Sequence, residues 1–211
     1  AEINADYVKE KGIKVVRRLS GGGAVYHDLG NLNFSFTRTS DNSSDMVDFR
    51  RYTKPILEVL QDLGVEDAKF EGRNDLTIGG KKFSGNAEHV FKNKVLHHGT
   101  LLFSSEMRDV SGALKVNPLK YKDRAVKSVP KRVTNISNHL KEEINLEEFT
   151  DKIMDYILEN YENARMYEFT EEDFKAIEKI KQEKYSKWEW NFGYSPDYNF
   201  KQGVKSDGGL I

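Results

Sequence analysis

Across 211 residues the chain carries 33 basic and 34 acidic side chains, a formal net charge of −1, and no cysteine. Nearly balanced charge gives no global field for nucleic acid or a membrane surface, and the lack of cysteine excludes disulfides, thiolate metal sites and a cysteine nucleophile. No apolar run approaches membrane-spanning length and no signal-peptide pattern opens the chain, so the expectation is a soluble, cytoplasmic protein with one sizeable core, or one domain with an appendage.

Residues 1–12 are polar and close on Lys11-Gly12, the tail of a short helix with glycine just past its end. Val15 and Val16 lead as an apolar stub into Arg17-Arg18-Leu19-Ser20-Gly21-Gly22-Gly23-Ala24-Val25-Tyr26-His27-Asp28. Glycine reaches backbone angles that other residues avoid and lets the chain approach a ligand with no Cβ between. A mere turn does not need this polar surround, so the stretch reads as a ligand loop, with a flexible hairpin tip as the plainer alternative. Leu32-Asn33-Phe34-Ser35-Phe36 alternates with period two, a half-buried strand within the β-favouring run 32–37. Ser40 to Asp45 is a polar loop. Met46, Phe49, Ile56, Leu57, Leu60 and Leu63 follow helical spacing up to Gly64, with Pro55 a point of kinking or division.

Short β-type pieces come next, at 68–70, 75–78, 81–90 and 95–103, with Gly79-Gly80 a tight hairpin turn between the second and third. A mainly antiparallel sheet is the simplest account. From Glu106 to Ser128 the pattern weakens while Lys115, Lys120, Lys122, Arg124 and Lys127 crowd in, a basic lid or a solvated loop, with the loop favoured. Asn145 with Glu148 resembles a capping box, followed by the stripe Leu146, Phe149, Ile153, Ile157. A further helix is expected from Thr170 through Tyr185 with Phe174, Ile177 and Ile180 inward. Trp188-Glu189-Trp190-Asn191-Phe192-Gly193 is an aromatic cluster expected to close over the sheet, and Gly208 to Ile211 could start another strand.

Four clusters carry candidate chemistry. The glycine loop brings Arg18, Ser20 and His27. Gly72-Arg73-Asn74-Asp75 places an amide and a carboxylate at the start of a strand, either an Asn-Asp turn or a partner for Mg²⁺, which prefers few protein oxygens plus phosphates. In Lys81-Lys82-Phe83-Ser84-Gly85-Asn86-Ala87, period two groups Lys82, Ser84 and Asn86 on one face, where an inward lysine is costly unless an anion meets it. His97 and His98 diverge on a strand and cannot easily share a metal. Glycine backbone, arginine, lysine and a carboxylate, with no activated nucleophile and no Walker-type motif, suit phosphoryl or adenylyl chemistry by positioning and charge stabilisation.

These residues resemble the lipoate–protein ligase family, which is related to biotin ligases and octanoyltransferases. The resemblance rests on the stretch 17–31, on Gly72 to Leu76, Lys82 to Ala87 and His97 to Leu102, on Ser128 to Ile136 as an adenylate-binding loop, and on Trp188 to Gly193. It implies an α+β fold, mainly antiparallel sheets flanked by helices, of the biotin/lipoate ligase type. Residues 1–193 would form the catalytic domain, and 194–211 a linker that could begin a small C-terminal domain. The family's usual N-terminal stretch ahead of the signature lies outside this sequence.

The implied reaction activates lipoate with MgATP to lipoyl-AMP, then passes the acyl group to a lysine of a lipoyl domain in a 2-oxoacid dehydrogenase complex or of the glycine-cleavage H protein. By position, Lys82 would be the catalytic lysine. Arg18, Ser20, Gly21, Gly22, Gly23, Val25, His27, His98 and Thr100 would meet lipoate, with Val25, Phe34 and Phe83 helping to form an apolar tunnel. Ala24, Tyr26, Asn74, Asp75, Ser84, Lys127 and Ser128 would meet ATP or the adenylate, and Asp75 the metal. No nucleic-acid or membrane partner is expected. The rival readings are a lipoyl or octanoyl transferase acting without ATP and a non-catalytic lipoate-binding protein; a biotin ligase, which shares the general fold, ranks low because its glycine-arginine motif differs.

Overall fold

The computed structural model describes residues 3–39, 46–114 and 133–193, together with the backbone of 205–206 and 209–210. The chain divides into two compact units. The larger, over described residues 19–39, 46–114 and 133–166, holds a five-stranded sheet, all antiparallel. Its strands are β1 (Asn31–Thr39), β2 (Lys69–Glu71), β3 (Asp75–Ile78), β4 (Lys81–Phe91) and β5 (Lys94–Leu102), in the order β1-β5-β4-β3-β2. Gly79 and Gly80, at φ 55° and 72°, make the β3–β4 hairpin with the positive-φ pair that suits strand twist.

One face of this sheet is covered. Helices α2 (Phe49–Asp62) and α4 (Leu146–Asn160) send Ile56, Val59, Leu60, Phe149 and Ile153 against Leu76, Ile78, Phe83, Leu101 and Phe103, a single apolar core. Pro55 sits buried inside α2 without dividing it. The capping box of α4 is complete: the Glu148 backbone N–H donates to Asn145 Oδ1 at 3.0 Å, and the Asn145 N–H to Glu148 Oε2 at 2.8 Å. Where a loop was expected, Met107–Ala113 forms a short helix, α3. Its N-cap, Glu106, makes no side-chain cap bond; instead Asp28, far off in sequence, accepts the Glu106 N–H (2.8 Å), a contact that no local pattern announces. Ser40 to Asp45 and the basic stretch from Lys115 to Lys127 lie outside the described residues.

The smaller unit, over described residues 3–18 and 167–193, holds α1 (Ala5–Glu10) and α5 (Glu171–Ile180). Two π-helical turns follow, at Lys181–Tyr185 and Glu189–Gly193. The expectation that Phe174, Ile177 and Ile180 point inward is corrected: they are 60%, 48% and 51% exposed. Helical spacing says which residues share a face, not what lies opposite it. At the C-terminal end, the backbones of β6 (Lys205–Ser206) and β7 (Gly209–Leu210) pair antiparallel.

Candidate functional site

A β-bulge decides the site. β3 pairs with β4 as Asp75↔Gly85 and Leu76↔Ser84, then shifts so that Thr77 meets Lys82, leaving Phe83 as the extra residue. Phe83 and Ser84 therefore both turn to the helix-covered side, where they are 0% and 1% exposed. Lys82 turns to the other side, over Gly85, and its ammonium reaches Asp75 Oδ1 at 2.7 Å. The grouping of Lys82 with Ser84 and Asn86 is thus overturned, because strict alternation fails where a strand carries an extra residue. A Cβ on Gly85 would lie 2.9 Å from the Lys82 ammonium, so the missing side chain is what seats the cation. On the backbone, the Lys82 carbonyl accepts the Thr134 N–H at 2.9 Å, beside a parallel bridge to Val133.

The same face carries the end of the glycine loop. Register places Asp75, Gly85, Thr100 and Asn33 in one row across the sheet, with Ala87, His98 and Ser35 in the next. His98 Nε2 is hydrogen-bonded to the Ser20 hydroxyl, which brings the loop onto this face. Gly85 and His98 are diagonal neighbours, about 8 Å apart by strand geometry. The Lys82 ammonium and the Ser20–His98 contact thus lie on the same face of the sheet, in adjacent rows. Within the loop Gly22 has φ +114°, a conformation that L side chains rarely adopt. Beyond it, the Asp28 carboxylate accepts the Gly30 N–H at 2.9 Å as well as that of Glu106. A Cβ on Gly30 would meet the Ser104 backbone at 2.3 Å. The Asp28–Gly30 part of the motif is therefore architectural.

The remaining candidates separate. The Asn31 side-chain amide donates to Nδ1 of exposed His27 at 3.1 Å. Burial, then Asp109 and Asp28, push the Tyr26 phenol above its ordinary pKa. Val25 is 43% exposed. Asn74 ties two strands together: its side chain donates to the Asn86 carbonyl, and its carbonyl accepts from the Asn86 N–H and Nδ2, each at 3.0 Å. Phe34 and Phe83 pack with the helix-covered core and so lie across the sheet from Lys82, as does Ser84, which accepts from Asn86 Nδ2 at 3.2 Å. Arg18 belongs to the smaller unit. Lys127 and Ser128 lie outside the described residues. Sequence reading missed Gly85 and Thr134; a lone glycine inside a strand pattern was the available sign of a bulge.

No group of three or more His, Asp or Glu among the described residues could hold a metal ion, and no described helix is long and apolar enough to cross a membrane. An antiparallel sheet with helices on one face and a seated ammonium beside a glycine loop on the other defines an α+β catalytic-type domain. Residues 1–158 match the family of the lipoyl protein ligase A/B catalytic domain, and the chain belongs to that family. It is 46% identical over 210 residues to lipoate–protein ligase 1 of Staphylococcus aureus and 44% identical over 212 residues to lipoate-protein ligase LplJ of Bacillus subtilis. In both cases the match takes in 100% of this chain and 63% of the relative, so the chain spans under two thirds of their length. Among solved structures, the bipartite lipoate protein ligase of Thermoplasma acidophilum, described with its E2 lipoyl domain, aligns with TM-score 0.77 at 33% identity, covering 93% of this chain and 77% of that one. A lipoate-protein ligase A bound with ATP aligns with TM-score 0.73 at 30% identity, over 92% and 78% of the two chains. A T. acidophilum protein with bound lipoic acid gives 0.74 at 29% identity, over 91% and 77%.

Proposed function

We propose that this protein is an ATP-dependent lipoate–protein ligase. The observation that carries the reading is the bulge that turns Lys82 to the face where Ser20 meets His98, a cation beside a glycine backbone. Support comes from relatives described with lipoic acid, with ATP and with a lipoyl domain.

In the first step a lipoate carboxylate oxygen attacks the α-phosphorus of ATP. The bond from that phosphorus to the bridging oxygen of the β-phosphate breaks, and pyrophosphate leaves. Lys82, held by Asp75 and given room by Gly85, stabilises the charge that builds on the α-phosphate and later on the acyl oxygen. Arg18, Ser20 and the Gly21–Gly23 backbone, with His27, His98, Thr100 and Val25, take the lipoate end, while Ala24 and Tyr26 flank the nucleotide. In the second step the ε-amine of a lysine on a lipoyl domain attacks the acyl carbon, the bond to the AMP oxygen breaks, and the amine gives up its proton. Magnesium would offset phosphate charge when bound, and Asp75, which pairs with Lys82 in this structure, would be the carboxylate to hold it. The setting of the reaction is the cytoplasm.

ATP–pyrophosphate exchange on the full-length protein tests this. Exchange that depends on lipoate or octanoate is the expected result. Acyl transfer from a carrier protein with no ATP requirement, or lipoate binding without exchange, would replace the reading with one of its rivals.

A further inference from the structure

From the smaller unit we infer that Trp190 and Asn191 are positioning residues: they grip the backbone of Arg17 and so fix the chain where it runs into the glycine loop. The Arg17 N–H donates to Asn191 Oδ1 at 2.8 Å, and the Arg17 carbonyl accepts the Trp190 indole N–H, also at 2.8 Å. The guanidinium adds bonds to the Asn191 carbonyl, from Nη2 at 3.2 Å and Nε at 3.4 Å. Both polar groups of one backbone residue are thus taken by side chains more than 170 positions away. No ladder does this; it is a grip on one residue.

The gripping side chains are themselves held. Asn191 Nδ2 donates to the carbonyls of Tyr185 (2.8 Å) and Lys187 (3.1 Å), so both ends of its amide are used. Those carbonyls sit at the end of one π-turn and just ahead of the next, and π-turns mark functional places more often than chance. Lys184 lies 4.0 Å above the Trp190 ring, and Tyr185 stands edge-on to it at 6.1 Å. A Cβ on Gly193 would come within 2.8 Å of the exposed Trp188 ring, so that ring lies over the bare backbone of the glycine. From Arg17 the chain continues directly through Arg18 and Leu19 to Ser20 and the three glycines. Pinning Arg17 on both sides restricts the direction in which Arg18 leaves. This consequence rests on the proposal that Arg18 meets the lipoate carboxylate; the grip does not.

The test uses the full-length protein and three variants. Asn191→Ala removes the acceptor, Trp190→Phe keeps a ring but loses the N–H, and Asn191→Asp keeps the acceptor. Amide hydrogen exchange in a peptide containing Arg17 is expected to speed up about tenfold or more in Asn191→Ala and less in Trp190→Phe. In pyrophosphate exchange, the KM for lipoate should rise about tenfold in Asn191→Ala while the KM for ATP holds, with Asn191→Asp, which keeps the acceptor for Arg17 but sets a carboxylate oxygen against the Tyr185 and Lys187 carbonyls, restoring only part of it. Unchanged protection of that peptide would overturn the grip. Equal loss for both substrates, alongside a lower melting temperature, would reduce it to a structural role. If wild-type protein shows no lipoate-dependent exchange, the ligase reading fails, and the protection measurement still decides the grip.

Discussion

His97 and His98 are neighbours on one strand and lie in opposite worlds. His98 faces the open side and holds Ser20 at the mouth of the glycine loop. His97, 0% exposed, faces the helices, where its Nδ1 meets Glu88 Oε1 at 2.9 Å and its ring stacks on Tyr52 at 4.8 Å. His97 Nε2 and the Tyr52 hydroxyl are buried with no hydrogen-bond partner among the described residues, while the Glu88 carboxyl takes a backbone hydrogen bond from Asp48. Burial pushes Glu88 up to about 7 and His97 down to about 4, so the pair rests uncharged between those values. Asp48, at the start of α2, bears on both groups, and His98 lowers His97 further. The lesson is that a polar group on the covered face is tuned to be silent, whereas on the open face it is left to act.

Four substitutions sharpen this contrast. Lys82→Ala should cut pyrophosphate exchange by about a thousandfold or more, because a developing negative charge loses its fixed cation. Its melting temperature should fall by a few degrees at most, since the Lys82 side chain is 31% exposed. Gly99→Ala tests the covered face: its Cβ would lie 2.3 Å from Asn86 Oδ1 and 2.5 Å from the Phe34 ring. Overpacking there should cost about 1–3 kcal/mol in chemical denaturation. Gly85→Ala, one strand over on the open face, should do the reverse. Its new methyl meets only the flexible end of Lys82, so the fold holds while exchange falls about tenfold or more as the ammonium is displaced. Should Gly85→Ala unfold the protein and Gly99→Ala spare it, the assignment of faces is wrong.

The smallest effect is a pH dependence. Glu88 is raised in the folded state, so its contribution is intact below 4.5 and is lost as pH rises toward 7. His97 is lowered, so its cost is full below about 4 and gone above 6.5. Between about 4.5 and 6.5 folded and unfolded forms carry equal proton numbers on this pair, and the two slopes cancel. Glu88→Gln removes only the alkaline loss. Its melting temperature relative to wild type should therefore climb from pH 5 to pH 8 by a few degrees, followed by thermal denaturation across that range. A flat difference would mean that Glu88 ionises freely in the folded protein.

Much of this was legible from residues alone where the signal is local. Period-two alternation marked β1 and the later strands to within a residue or two, Gly79-Gly80 marked the hairpin, and Asn145 with Glu148 marked the start of α4. The ordered motifs carry the family resemblance without any knowledge of the fold. α3 escaped because no local side chain caps it and Asp28, which holds the Glu106 N–H, is 78 positions away; the exposure of Phe174 escaped because spacing is silent about what packs opposite.

The sequence by itself determined the strands, the glycine loop and the chemistry that a lysine, an arginine and a carboxylate can offer. Only the tertiary structure decided which way Lys82 points. Side-chain direction follows backbone alternation until two strands disagree by one residue, and that disagreement at Phe83 exists only once β3 and β4 are paired.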